Sequence, residues 1–229
     1  MIDVVVPVLG RPQNAQPLVE SIRASTTVPY TITFVCSPHD LAEQNACAET
    51  ALSGDDDIEV IIAQWESGPG DFAKKTNYGF ALTHGEWVML GADDLTFTDG
   101  WDKAALAVGE KGFGVVGTND CRNPLVIRGR HATHSLVSRR YISEVGGTFS
   151  DGAGVVYSEA YSHQAVDNEL VAAARGRNEW AFAHDSVVIH NHPIYDKTVA
   201  MDDTYRRALA DGGADKRLYV QRLKEWSKR

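Results

Sequence analysis

Several features that would assign a protein class at once are missing from this sequence. Its 229 residues include three cysteines, Cys36, Cys47 and Cys121, whose wide spacing is not that of a metal site. An odd number of scattered cysteines indicates free thiols in a reducing compartment. No apolar run approaches the roughly 20 residues of a membrane span, and the N-terminus lacks the basic and apolar regions of a secretory signal. We therefore expect a cytoplasmic protein without a membrane span.

Positive charge is also scarce. The sequence has 22 lysines and arginines against 31 acids, a formal net charge of −9, which argues against sequence-blind binding of nucleic acid by the whole surface. One span departs from this balance. Residues 121–143 contain no acid and five arginines: Arg122, Arg128, Arg130, Arg139 and Arg140. Solvated helix faces would explain them, and so would contact with a phosphate-bearing ligand.

Strand-like and helix-like segments alternate through the first half of the chain. Apolar or β-branched runs predict strands at residues 2–9, 30–36, 58–63 and 86–90. Helical spacing or composition predicts helices at 13–24, 38–52 and 71–83, the last with Asp71 near its N-cap. This alternation indicates βαβ units around a parallel sheet.

The second half is less regular. We expect helices at 101–109, 138–145 and 166–175, strands at 113–117 and 179–189, a glycine-rich loop at 147–155, and one or two helices in 201–226, broken near Gly212. One α/β domain over residues 1–229 accounts for this order. In it, a Rossmann-like nucleotide-binding half (about 1–118) precedes an acceptor half (about 119–200) and a helical tail (201–229), with helices on both faces of the sheet.

An apolar strand that ends in two acids is the most informative motif. Residues 86–90 lead through Gly91 and Ala92 to Asp93 and Asp94. Ligands of open α/β sheets bind at the carboxyl ends of strands. Adjacent carboxylates repel each other there unless they share a cation or a hydrogen-bond donor. A hard divalent metal ion that also binds the phosphates of a substrate would be such a cation. A turn followed by solvated acids is the alternative.

Two further motifs lie between predicted strands and helices. Arg11 follows the first strand in a Gly-Arg-Pro turn and could face a ligand, although simple turn chemistry gives the same pattern. Residues 68–79 form a glycine-led helix start that carries Lys74, Lys75 and Asn77. A helix N-terminus with nearby lysines suits a phosphate, but an ordinary capped helix would also look like this.

Acids and imidazoles mark the later part of the chain. Asp167 and Glu169 begin a predicted helix and are candidate general bases, while acids at that position also complement the helix dipole. His190 and His192 end the last predicted strand, and imidazole is a common metal ligand. Such a histidine pair alone is more often structural. If it lies opposite Asp93 and Asp94, one of its imidazoles would supply a third ligand to a metal.

Taken in order, these motifs resemble those of the family 2 glycosyltransferases, which have the GT-A fold, and most of all the small single-domain versions of bacterial viruses. The resemblance covers residues 1–193 in five segments: 4–12, 73–94, 139–149, 167–170 and 190–193. It implies an α/β fold of GT-A type with an open mixed sheet. It also implies the host cytoplasm as the location if the protein is viral.

The resemblance further implies an inverting transfer of a sugar from a nucleotide-diphosphate sugar, a uridine one, to an acceptor hydroxyl. Mn²⁺ or Mg²⁺ would be held by Asp93 with Asp94 and His192, and Asp167 or else Glu169 would be the catalytic base. The implied donor contacts are Pro7, Arg11, Ser37, Lys74, Lys75, Asn77, Ala92 and Asp93.

The sequence departs from the family pattern at two points. Gly91 stands where a further acid is often found. An acid that reads the nucleobase usually follows the second strand, and here the sequence offers Ser37 and only later Asp40. The nucleobase of the donor therefore stays open.

Two other functions remain open at this stage. One is sugar-phosphate nucleotidyl transfer, which also uses metal-bound carboxylates on an α/β sheet. The other is a non-catalytic module that binds a sugar nucleotide or a glycan. The acceptor is open among a hydroxylated base in DNA, a protein, a lipid and a small glycoside, and the oligomeric state is open as well.

Overall fold

The computed structural model describes residues 1–54, 58–210 and 212–228. These residues form one sheet of eight strands. The strands are β1 (Ile2–Pro7), β2 (Tyr30–Cys36), β3 (Ile58–Ile62), β4 (Trp87–Leu90), β5 (Leu95–Phe97), β6 (Val115–Asn119), β7 (Ser135–Ser138) and β8 (Trp180–His190). Their order in space is β3-β2-β1-β4-β7-β6-β8-β5.

The first four strands are parallel and the remainder make the sheet mixed. β1 pairs in parallel with β2 and β4, and β2 with β3. β7 lies antiparallel between β4 and β6, β8 is parallel to β6, and β5 is antiparallel to β8. The predicted α/β fold with an open mixed sheet is thereby confirmed.

The described residues also form nine α-helices, besides a short 3-10 helix at Pro12–Asn14. They are α1 (Ala15–Ser25), α2 (Leu41–Leu52), α3 (Asp71–Leu82), α4 (Trp101–Gly109), α5 (Pro124–Ile127), α6 (Arg139–Glu144), α7 (Val166–Gly176), α8 (Asp203–Ala210) and α9 (Gly212–Trp226). Of the helices in the described ranges, none combines the length and apolar character needed to cross a bilayer.

Two cores lie on opposite faces of the sheet because successive residues of a strand point to opposite sides. Val4 and Val6 of β1 belong to a buried cluster with Leu18 of α1 and Trp101 of α4. Val5 belongs to a second cluster, which includes Phe80 of α3 and Leu170 of α7. Burial on both faces explains the apolar run of Val4, Val5 and Val6 in β1, and each fully buried aliphatic side chain contributes about 1.5–3 kcal/mol.

Most predicted elements are found, with ends shifted by a few residues. The strand at 30–36 and the helix at 101–109 are confirmed without change. Gly70, with φ +78°, is the N-cap of α3, so Asp71 is its first helical residue. Gly212, near which a break was predicted, begins α9, and residue 211 before it lies outside the described residues. β5, β7 and α5 were not predicted; each is only three or four residues long.

The register brings the ends of β1, β2 and β4 to one edge of the sheet. Pro7 is opposite Val35, and Val5 is opposite Leu90. β5 begins directly after the acid pair and pairs Leu95 with His190. The end of β8 therefore lies beside Asp93 and Asp94, although these parts of the chain are far apart in sequence.

Candidate functional site

A cleft of about 690 Å³ opens at this edge of the sheet. Its volume is in the range of pockets that hold ligands of nucleotide size. The predicted site residues that line it are Pro7, Arg11, Lys75, Ala92, Asp93, Asp94, Asp167 and His192. One cleft thus brings together residues from the opening turn, the acid pair, the start of α7 and the end of β8.

Ser37, Lys74, Asn77 and Glu169 are not part of the lining formed by the described residues. Ser37 lies behind it, with its Oγ 2.6 Å from the ammonium of Lys75. Asn77 accepts the backbone N–H groups of residues 156 and 157, both at 3.0 Å, and so anchors that loop. Lys74 lines a separate shallow depression beside Trp65. The predicted donor contacts of these residues stay predictions.

Lys75 connects three parts of the fold behind the cleft. Its ammonium donates to the carbonyl oxygen of Val8 at 2.7 Å and to Ser37 Oγ, and lies 2.9 Å from Asp71. An ammonium has three hydrogens, and these three acceptors use them all. A ligand phosphate would therefore have to replace one of these contacts in order to bind Lys75.

The acid pair is buried and shares a cation from the protein itself. Asp93 and Asp94 are each 8% exposed, and Arg11 Nη1 lies 3.1 Å from Asp93 Oδ1 and 3.3 Å from Asp94 Oδ2. Gly91 brings this turn close to β1: its N–H donates to the Val5 carbonyl oxygen at 2.9 Å, and a Cβ there would lie 3.0 Å from that oxygen. Close packing thus disfavours a side chain at position 91.

The two carboxyls have opposite electrostatic surroundings. Burial, against the attraction of Arg11, raises the pKa of Asp93 to about 8. Burial also disfavours ionised Asp94, but the His190 imidazole at 3.3 Å and Arg11 outweigh it, so the pKa of Asp94 lies below its usual range. Arg11 thus lies between one carboxyl whose ionised form is disfavoured and one whose ionised form is favoured.

His190, which the sequence left open as the alternative to His192 in the ligand set, is the histidine that contacts Asp94. His192 lines the cleft, where its ring packs against His190 at 5.1 Å and against Tyr205 at 4.8 Å between centroids. Within the described residues, no three His, Cys, Asp or Glu side chains are already arranged to hold a metal. The set Asp93, Asp94 and His192 is therefore not preformed, and its metal role stays a prediction.

The donor atoms at the acid pair nevertheless suit a divalent cation. Asp94 Oδ1 is buried without a hydrogen-bond partner among the described residues. Such an orphaned oxygen calls for an explanation, and a missing ion is one. Carboxylate oxygens, with an imidazole beside them, are suitable ligands for Mn²⁺ or Mg²⁺. Arg11 now provides the positive charge that such an ion would bring.

The C-terminal tail covers the acid pair, which sequence reasoning missed. The hydroxyl of Tyr205 in α8 lies 2.9 Å from Asp94 Oδ2 and 3.1 Å from the Asn191 carbonyl oxygen. The ring of Tyr205 packs 4.1 Å from the Arg11 guanidinium, and Arg11 Nε lies 3.4 Å from Asp202. Asp94 and Tyr205 are 111 positions apart, so no spacing in the sequence could have indicated the contact.

Of the two candidate bases, Asp167 reaches the cleft. Its Oδ2 lies 3.0 Å from His131 Nε2, and its Oδ1 accepts the N–H of Asn168 at 2.8 Å. Burial disfavours the ionised carboxyl, but the hydrogen bond and the charge of His131 outweigh it and lower the pKa of Asp167. His131 was missed too; its only signal was its place in the acid-free span 121–143.

Glu169 has a different environment. It is 1% exposed and accepts hydrogen bonds from Phe149 N–H at 2.7 Å, from the Tyr161 hydroxyl, and from two nitrogens of Arg222 at 2.8 Å each. Both carboxylate oxygens are therefore used inside the protein. This geometry supports a structural role for Glu169, and the role of either residue as the base stays a prediction.

Comparison by sequence gives no family: no family model matches the chain, and no curated protein matches it. Solved structures do match. A mannosyltransferase from Pyrobaculum calidifontis, solved with GDP-Man and Mn²⁺, has a TM-score of 0.64 at 14% identity over 83% of this chain and 56% of its own. S. aureus TarS 1-349 with UDP has a TM-score of 0.58 at 14% identity over 82% and 59%.

A third match covers nearly the whole chain. Glucosyl-3-phosphoglycerate synthase from Mycobacterium tuberculosis, solved with Mn²⁺, UDP and glucosyl-3-phosphoglycerate, has a TM-score of 0.60 at 14% identity over 99% of this chain and 79% of its own. The chain spans only 56% and 59% of the other two. At such identities the likeness is one of fold, and it identifies the architecture of this chain as the GT-A fold of glycosyltransferases.

Proposed function

We propose that the chain transfers a sugar from a nucleotide-diphosphate sugar to an acceptor hydroxyl. The observation that carries the proposal is the meeting, in one cleft of a GT-A fold, of the acid pair Asp93–Asp94 and the separate carboxylate Asp167. Three structural neighbours were solved with UDP or GDP-Man, two of them also with Mn²⁺. A uridine donor fits this pattern, as does a guanosine one.

The donor would lie along the edge formed by β1 and β4, against Pro7 and Ala92. Mn²⁺ or Mg²⁺, when bound by Asp93 and Asp94 with His190 or His192, would neutralise charge on the diphosphate leaving group. Arg11 would then share the acids with the metal or turn to the diphosphate, because its guanidinium can bind either partner. Lys75 and Ser37 would shape the pocket from behind.

Asp167 would act on the acceptor side. It takes the proton of the acceptor hydroxyl, and the oxygen forms a bond to the anomeric carbon. The bond from that carbon to the diphosphate oxygen breaks, and its electron pair leaves with the nucleoside diphosphate. A single displacement of this kind inverts the anomeric configuration. Glu169 is the less suitable base because Arg222 and Tyr161 already occupy its carboxylate.

A donor-by-acceptor screen tests the proposal. Purified protein is incubated with Mn²⁺, with uridine or guanosine diphosphate sugars, and with DNA bearing a hydroxylated base, protein, lipid or glycoside acceptors. The masses of the products are measured by mass spectrometry. Release of a nucleoside diphosphate with a product heavier by one sugar supports the proposal, and Asp93→Ala should abolish metal-dependent turnover. Release of pyrophosphate from a nucleoside triphosphate and a sugar phosphate would indicate nucleotidyl transfer; tight donor binding without turnover would indicate a binding module.

A further inference from the structure

His131 and Asp167 form a buried pair in the cleft. His131 is 7% exposed, and its Nε2 lies 3.0 Å from Asp167 Oδ2. The other oxygen, Oδ1, accepts the N–H of Asn168 at 2.8 Å. Each carboxylate oxygen is thus oriented by one donor and keeps lone-pair capacity for another. Both side chains line the cleft, so a hydroxyl bound there can approach the carboxylate.

The segment that carries His131 is itself held in place. Asp120, which is buried, accepts the N–H groups of Arg122 and Asn123 at 2.9 Å and the hydroxyl of Thr133 at 3.2 Å. The backbone oxygen of His134 accepts both the N–H and the hydroxyl of Thr118 in β6. The bonds at Thr133 and His134 hold the chain directly after His131 to β6 and to the Asp120 turn. A side chain that has to orient a catalytic group needs support of this kind.

We propose that His131 is a positioning residue for sugar transfer, which holds Asp167 oriented and ionised toward the acceptor hydroxyl. The inference rests on the proposed function. In the transfer, the hydroxyl proton moves to Asp167, the hydroxyl oxygen bonds to the anomeric carbon, and the bond to the diphosphate breaks with its electron pair. His131 keeps its own proton throughout and does not touch the substrate.

The charges around the pair agree with this role. Burial lowers the pKa of His131, but Asp167 and, more weakly, Asp120 outweigh it, and the net pKa is above the usual value. Arg175 of α7 acts in the opposite direction. His134 also faces Asp167 and adds to the lowering of the Asp167 pKa. Both shifts favour the form of the pair in which the imidazole carries a proton and the carboxyl is ionised.

Two variants separate the charge of His131 from its hydrogen bond. His131→Gln keeps an amide donor near the position of Nε2 but has no charge, whereas His131→Ala keeps neither. In His131→Gln, loss of the positive charge raises the pKa of Asp167, so the acid limb of kcat against pH should move up by about 1–3 units. In His131→Ala, kcat should fall by about 10- to 100-fold, the usual loss of a hydrogen bond to a charged group. The KM for the donor should not change.

The control is His184→Gln, since the side chain of His184 is 74% exposed beside Asp185; this variant should keep the wild-type pH profile. Thermal melting reports how much of each variant is folded. The inference is overturned if His131→Gln keeps the wild-type acid limb, or if His131→Ala loses activity only in proportion to lost folded protein. A shifted limb in His131→Gln with a higher kcat than in His131→Ala supports it, because a merely structural histidine would move neither.

A second readout needs no substrate. Histidine side-chain resonances are followed by NMR as a function of pH, and the one that disappears in His131→Gln is His131. In Asp167→Asn its pKa should fall, since the anionic partner is gone. An unchanged pKa would overturn the pair. If this coupling is found but no acceptor is ever glycosylated, the proposed function fails and the positioning role falls with it; if transfer occurs with an unshifted acid limb, the inference fails alone.

Discussion

At the scale of single residues, Arg11 has the most consequential environment. It comes from the turn after β1, yet it bridges two acids 82 and 83 positions further along the chain. The sequence indicated a ligand-facing arginine or a simple turn, and gave no sign that the acid pair would be its partner. The reason is physical: the contact depends on the parallel pairing of β1 with β4, which local spacing does not encode.

Replacement of Arg11 should change both stability and metal binding. Arg11→Met removes the guanidinium from the buried acid pair, so the unfolding free energy without metal should fall by about 3 kcal/mol. Mn²⁺ should restore the unfolding free energy of this variant, because the ion no longer competes with the guanidinium for Asp93 and Asp94. Thermal melting with and without Mn²⁺ measures both effects, with the exposed Arg206→Met as control. An equal gain from Mn²⁺ in wild type and Arg11→Met would contradict this account.

Asp167 and Glu169 should respond to substitution in opposite ways. Asp167→Asn should leave the fold intact and lower kcat by about two to four orders of magnitude, which is the usual contribution of a general base. Glu169→Gln should weaken the buried ion pair with Arg222 and reduce the unfolding free energy by about 3 kcal/mol, while folded molecules keep most of their activity. Urea unfolding and initial rates on the same samples separate the two. Loss of kcat in a fully folded Glu169→Gln would make Glu169 the base.

At the scale of elements, the tail does more than the sequence suggested. The sequence predicted only one or two helices there, but Asp215 of α9 is buried and accepts the N–H groups of residues 162, 163 and 164 at 2.8, 2.9 and 2.7 Å. This loop leads directly into α7 and so into Asp167. α8 and α9 therefore help to form the site: one covers the acids, and the other holds the loop before the candidate base.

Removal of that carboxylate tests the supporting role of α9. Asp215→Ala leaves three backbone N–H groups without their acceptor, and we expect a loss of about 1–3 kcal/mol in unfolding free energy. Hydrogen exchange at residues 162–164 should accelerate, while exchange in β1 stays as in wild type. Uniform acceleration over the whole chain would instead mean that Asp215 acts only on global stability.

Asp102 at the start of α4 gives a prediction about pH. Burial disfavours its charge, but the N–H groups of Thr27, Val28 and Lys103 at 2.6, 2.9 and 2.8 Å outweigh it and lower its pKa. The ionised carboxylate of Asp102 thus stabilises the fold at pH values above the ordinary Asp pKa of about 3.9. This stabilisation is lost as the pH falls through the lower pKa of Asp102 in the folded state.

Asp102→Asn should therefore be destabilised at pH 7 by about 1–3 kcal/mol, and the gap to wild type should shrink as the pH falls below about 4. Urea unfolding at a series of pH values measures this difference in unfolding free energy between wild type and Asp102→Asn. A gap that stays constant down to pH 2 would contradict the assignment.

Elements were predictable where a long periodic run met a clear boundary. α4, β2 and most of α7 fall into this class. β5 and β7 could not be predicted, because each is too short to show a pattern and forms only by pairing with distant strands. β7 also separates β4 from β6 in the sheet, an order that periodicity cannot reveal. The acid pair and Asp167 could be read from their places at a strand end and a helix start; His131, Tyr205 and Asp202 could not.

At the scale of the whole molecule, the central claim is sugar transfer by one GT-A cleft. The net charge of −9 gives no general attraction for phosphates, so donor binding has to rely on the local cation at Asp93–Asp94, whether Arg11 or a metal. The structural neighbours at 14% identity share the fold with this chain. Activity therefore has to be measured on this protein itself.

The most direct measurement is the ratio of released nucleoside diphosphate to glycosylated product, with Mn²⁺ and the donor and acceptor panel described above. We predict one nucleoside diphosphate for each acceptor that becomes heavier by one sugar. NMR of the product should show that the anomeric configuration of the transferred sugar is inverted. Turnover that releases pyrophosphate, or donor binding without any product across the panel, would contradict the account.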